Sequence, residues 1–146
     1  YDPYRERKIE ECNMACSRAI TSGCDVELSD GTTEHFALTA EDQINIATAE
    51  KAVQAGAQQF PYHADGKLCR LYSAADIMKI ITTATAWKTY HTTYFNHLKQ
   101  WIERTEEKAD IQAIHYGDEL PDDLKQSLDS IMAAMKALID SGVAVS

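Results

Sequence analysis

Residues 73–102 read SAADIMKIITTATAWKTYHTTYFNHLKQWI, and the fold expected for the whole chain follows from how this stretch is read. Ile77, Ile80, Ile81, Ala84, Trp87, His91, Tyr94, Phe95, Leu98, Trp101 and Ile102 recur at the three-then-four spacing of one helix face, and no Gly or Pro interrupts them. The pattern predicts a helix roughly 45 Å long. It carries both tryptophans, so other elements must cover that face. Thr82, Thr83, Thr85, Thr89, Thr92 and Thr93 add β-branched residues that lower helix propensity. Tertiary packing is therefore expected to hold the helix, and its threonine face is one place where a partner could dock.

Upstream, Ser73-Ala74-Ala75-Asp76 resembles a capping box, with Asp where Glu or Gln is usual. Before it, Phe60-Pro61-Tyr62-His63 and Leu68-Cys69-Arg70-Leu71-Tyr72 flank the turn Ala64-Asp65-Gly66-Lys67, which predicts a hairpin. A second hairpin is predicted where Val26 and Leu28 give way to Ser29-Asp30-Gly31-Thr32 and then to His35, Phe36 and Leu38. Between the two, Leu38-Thr39-Ala40-Glu41-Asp42 reads as staple, N-cap and acidic first turn of a helix that Gly56 ends. Its apolar residues Ile44, Ile46, Ala47, Ala49 and Val53 lie on more than one side, so the helix is expected to be sandwiched between neighbours.

Asp2-Pro3 opens a first helix with Ile9, Cys12, Ala15, Cys16, Ala19 and Ile20 on one face and Arg5, Glu6, Lys8, Glu10 and Glu11 on a charged one, up to Gly23. Tyr1, standing where an initiator Met would be, suggests that residues are missing upstream. Beyond Ile102, a short helix is expected over 106–113 with Thr105 as its cap. Pro121-Asp122-Asp123 then starts a last helix with Leu124, Leu128, Ile131, Met135 and Leu138 at near-heptad positions, stopped by Gly142.

The fold class expected is α+β: a helix-rich single domain with two β-hairpins packed around a long central helix and a C-terminal amphipathic helix. Residues 1–120 would form the helix-hairpin-helix-hairpin-helix domain, and 121–146 the amphipathic helix, either packed or partner-binding.

Composition narrows the function. Across 146 residues there are 14 Lys and Arg against 23 Asp and Glu, a formal net charge of -9, and 45% of the residues are hydrophobic. That hydrophobic content supports a core, whereas the acidity argues against nucleic acid and against an anionic membrane surface. No apolar run reaches the roughly 18 residues of a membrane span. The four cysteines, Cys12, Cys16, Cys24 and Cys69, lack the paired spacing of common zinc sites and are read as buried free thiols. His35, His63, His91, His97 and His115 match no ligand spacing and are read as hydrogen-bonded within or beside the core. Carboxylate pairs Glu41-Asp42 and Asp122-Asp123 fall at predicted helix N-termini, where the dipole explains them. No nucleophile elbow, phosphate loop or H-E-x-x-H helix is present, so neither an enzyme nor a cofactor or metal is expected. Trp87, His91, Tyr94, Phe95 and Trp101 share the core face, whereas Tyr90 and His97 lie off it.

Three segments carry a family resemblance: Val26-Glu27-Leu28-Ser29-Asp30-Gly31 leading to Glu34-His35-Phe36-Ala37-Leu38-Thr39 and Asp42-Gln43-Ile44-Asn45; Tyr62-His63-Ala64-Asp65-Gly66 with Cys69; and Thr93-Tyr94-Phe95-Asn96 with Leu98 and Trp101-Ile102. Over about residues 8–125 the chain resembles a poorly characterised domain encoded among tail genes of bacteriophages and phage-derived tail-like elements of Gram-positive, gut-type bacteria. More distantly, it resembles a domain of unknown function in phage tail-fibre proteins. That family has no established catalytic residues to carry over. The resemblance implies a structural or adaptor role in a virion tail (baseplate, tail tip or fibre), made in the bacterial host cytoplasm and docked on other phage tail proteins as a homo-oligomer or in several copies. The runner-up expectation is a receptor-binding module that uses Tyr62, Tyr90 or Tyr116 on a bacterial surface glycan.

Overall fold

Alternation of apolar spacing between a period near 3.6 and a period of two sets the order of elements. The computed structural model describes residues 2–141. It runs α1 (Pro3–Ser22), β1 (Cys24–Glu27), β2 (Thr33–Phe36), α2 (Ala40–Gln54), β3 (Gln59–Tyr62), β4 (Arg70–Ser73), α3 (Ala74–Arg104), α4 (Lys108–Ala113) and α5 (Asp122–Asp140). The architecture is helix-rich α+β with two small antiparallel hairpins and one long helix. Gly142, the expected stop of α5, lies outside the described residues.

The described residues sort into two compact units, 20–88 and 2–19 with 89–141. Each has its own core. In the unit 20–88, β1 pairs with β2 from Cys24↔Phe36 to Glu27↔Thr33, and β3 pairs with β4 from Gln59↔Ser73 to Tyr62↔Arg70. Val26, Leu28, Phe36 and Leu38 of the first hairpin region and Tyr62 and Tyr72 of the second pack with Ile77, Ile80, Ile81 and Ala84 of α3. The two hairpins are tied together, because the Asp65 amide donates to the His35 carbonyl at 2.8 Å and both Arg70 and Tyr72 bond Glu34 Oε1. Gly31 and Gly66 have positive φ, the backbone state that the two Asp-Gly signals require.

Three expectations are corrected in this unit. Strand β4 begins at Arg70, so Leu68 and Cys69 belong to the loop and are exposed, which removes Cys69 from the set of buried thiols. Helix α2 is not sandwiched: Ile44 is 68% exposed, and only the side carrying Ile46, Ala49, Glu50 and Val53 is covered. Its capping box is as read, with Thr39 and Asp42 bonded in both directions. At the start of α3, Ser73 Oγ accepts from the Asp76 amide, but the Asp76 carboxylate does not return to Ser73. It takes the amide and hydroxyl of Ser29 at 2.9 and 2.6 Å and so pins the first hairpin loop.

In the other unit, Cys12 of α1, Tyr94, Leu98 and Ile102 of α3, Ile111 of α4, Ile114, Leu120 and Leu128 of α5 form the core. Lys8, assigned to a charged solvent face, is only 9% exposed. Its ammonium donates to the Gln112 and Ile114 carbonyls at 3.2 and 2.7 Å, the unsatisfied end of α4. Arg5 does the same for α3, reaching the Ile102 and Thr105 carbonyls. Thr105 is not the cap of α4, which starts after Glu107 without a side-chain cap. Its hydroxyl bonds the Trp101 carbonyl and closes α3 instead. His97, read as lying off the buried face, is 6% exposed because α5 covers a second side of α3.

Candidate functional site

The five histidines are held apart by their elements and have distinct surroundings. His35 is exposed, with Nδ1 2.7 Å from Asp25 Oδ1 and Nε2 2.6 Å from the Ser22 carbonyl, and these two acceptors raise its pKa above the ordinary value. His97 donates from Nδ1 to the Thr93 carbonyl and meets Ser127 Oγ with Nε2, both at 2.8 Å. His91 meets the Tyr116 hydroxyl at 2.7 Å, and burial lowers its pKa. His115 is exposed. His63 stacks on Tyr62 and lies 3.6 Å from the Cys69 sulfur, a pairing invisible in the sequence because a loop brings it about. Among the described residues no group of three or more His, Cys, Asp or Glu converges as a metal site. Cys12, Cys16 and Cys24 are buried and free, and desolvation pushes the Cys24 thiol up to about 11.

The tyrosines offered for a glycan separate in the structure. Tyr62 is buried against Phe36, with its hydroxyl raised to about 12 by desolvation, so it presents no face for stacking on a sugar. Tyr116 is half-buried edge-on to Tyr94. Tyr90 is exposed and stacks on Tyr94. Tyr94 itself serves the fold: it donates to the Asp118 carbonyl and accepts from the Gly117 amide. Of the carboxylate pairs, Asp42 caps α2, while Asp123 makes a two-pronged ion pair with Arg104, which lowers its pKa to about 2.

Two features leave apolar surface or space unfilled. The first is the α5 stripe. Leu124, Leu128 and Met132 pack into the core, but Ile131 and Leu138 of the same helix are 43% and 49% exposed. The second is a cavity of about 150 Å³ in the unit 20–88. Gln43, Ile46, Ala47 and Glu50 of α2 face Ile81, Ala84, Thr85 and Lys88 of α3 across it, and Leu38 completes it. Each helix contributes positions i, i+3, i+4 and i+7, and an alanine near the middle of each stripe leaves the space unfilled. Lys88 Nζ lies 2.5 Å from Gln43 Oε1 at one end. Glu50 is 6% exposed, yet its carboxylate makes no hydrogen bond or ion pair among the described residues. Sequence reasoning missed Glu50. The only signal was an acid at the position that continues the covered stripe of α2, where Ala or Leu would be ordinary.

No curated protein and no solved structure matches the chain. A family model does, over residues 3–116, which takes in both hairpins, α1 to α4 and the whole of the Glu50 cavity. The chain therefore belongs to the family described as a domain of unknown function, DUF4376.

Proposed function

We propose that the chain is a structural or adaptor component of a bacteriophage or phage-like tail, in its baseplate, tail tip or fibre, and that it acts by protein–protein docking. The α5 stripe carries the docking part of the reading: Leu124, Leu128 and Met132 are core, while Ile131 and Leu138, seven residues apart, face solvent at the spacing a neighbouring helix would fill. Resemblance of the Asp30-Gly31, Tyr62-to-Cys69 and Thr93-to-Ile102 segments to tail-encoded domains supports the location. A net charge of -9 supports a partner of opposite charge. Gold-labelled antibody to this chain should decorate the tails of particles in electron micrographs. Label confined to host cell debris, with bare tails, would remove the reading.

A receptor-binding module for a bacterial surface glycan is the second reading, supported by the exposed ring of Tyr90 stacked on Tyr94. A glycan array on which the intact chain and a Tyr90→Ala variant give the same signal would dismiss it.

A further inference from the structure

We propose that the cavity between α2 and α3 is a slot for a lysine side chain of a partner protein, with Glu50 as its counter-ion. Glu50 is 94% removed from solvent as a residue, and what contact with water it keeps includes its carboxylate oxygens, so a cation can reach them without first breaking a bond inside the protein. Glu50 has no partner among the described residues and lines a space of about 150 Å³. The apolar part of the lining is Leu38, Ile46, Ile81 and Ala84, with the exposed Ala47 at the rim, which suits an unbranched alkyl stem. The acceptors not already engaged are the Glu50 carboxylate and the Thr85 hydroxyl, enough for the three donors of an ammonium. The space of about 150 Å³ fits a four-carbon stem with a compact ammonium at its end, so the slot is assigned to Lys and not to the broader planar fork of Arg.

The slot's own cation does not compete. Lys88 is tied to Gln43, and Gln43 precedes Glu50 by seven residues, about 10 Å along α2. The chain's overall negative charge draws a basic partner toward such a site from a distance. This inference rests on the docking reading only for the source of the amine, since the cavity chemistry stands on its own residues.

The direct probe is n-butylammonium chloride, a lysine side chain without its backbone, titrated into the intact chain while the Ile46 and Ile81 methyl signals are followed by NMR. Saturable millimolar shifts are expected at those methyls, with n-butanol binding about tenfold more weakly for want of the charge-assisted hydrogen bonds. Glu50→Gln should erase the difference between the two probes. Should that variant fail to fold, Ala47→Leu, placed at the exposed rim, should fill the slot and abolish the shifts while the circular dichroism spectrum stays unchanged. Equal binding of both probes to the unaltered chain, or shifts that do not centre on Ile46 and Ile81, would overturn the proposal. So would n-butylammonium binding that survives Ala47→Leu. Such a failure leaves assembly of the chain untouched. Conversely, a chain that binds n-butylammonium yet never assembles would keep the slot and lose the docking role.

Discussion

Gly23 shows how sharply one position can be determined. Its φ is +86°, and a Cβ placed there would lie 1.8 Å from the Phe36 carbonyl oxygen, a backbone atom that cannot step aside. Gly23→Ala should therefore cost at least about 3 kcal/mol, read as a loss of denaturation midpoint at constant slope. Lys8 is determined differently, by two carbonyls at the end of α4 that would lose their donor. Replacing it with Met keeps the stem and removes the ammonium, for an expected loss of about 2 kcal/mol. His35 gives a pH signature. Asp25 and the Ser22 carbonyl are both acceptors, so only the doubly protonated ring satisfies both, and they raise its folded pKa. The stabilisation is complete below the unfolded value of about 6.5 and is lost as pH rises through the folded value. Thermal melts of His35→Gln should fall below those of the unaltered chain at about pH 5 and converge with them at about pH 9.

Among the elements, α2 is the most locally specified. Thr39 and Asp42 satisfy each other's amides across one turn, and Thr39→Ala should lower stability by about 1 kcal/mol in urea titration. Features of this kind were legible in the sequence because their partners lie within a few residues: the two Asp-Gly turns, the Thr39 box, the Gly23 stop and the face of α3 all follow from neighbours. What could not be read depends on distant partners. Lys8 meets carbonyls more than a hundred residues away, Asp76 reaches back 47 residues to Ser29, and His97 becomes core only because α5 arrives on its side. Glu50 belongs to the same class, since periodicity marks its face as covered but cannot say that two alanines leave a space beside it. The histidines and cysteines were legible as residue types and not as places, and a loop conformation alone sets Cys69 beside His63.

At the scale of the whole molecule, two cores are satisfied, and the large apolar side chains left exposed include Ile131 and Leu138 of α5, Leu68 and Leu71 of the second hairpin, Ile44 of α2 and Met14 of α1. An acidic body with such surface is suited to holding neighbours, and its association with a basic partner should weaken as salt is raised. Whether the chain docks is best read by sedimentation velocity of the purified chain, alone and mixed in turn with the products of the genes on either side of its own. Docking predicts a boundary faster than the monomer, in isolation or with one of those products, that slows toward the monomer for Ile131→Asp with Leu138→Asp. A single monomeric boundary in every mixture would contradict it.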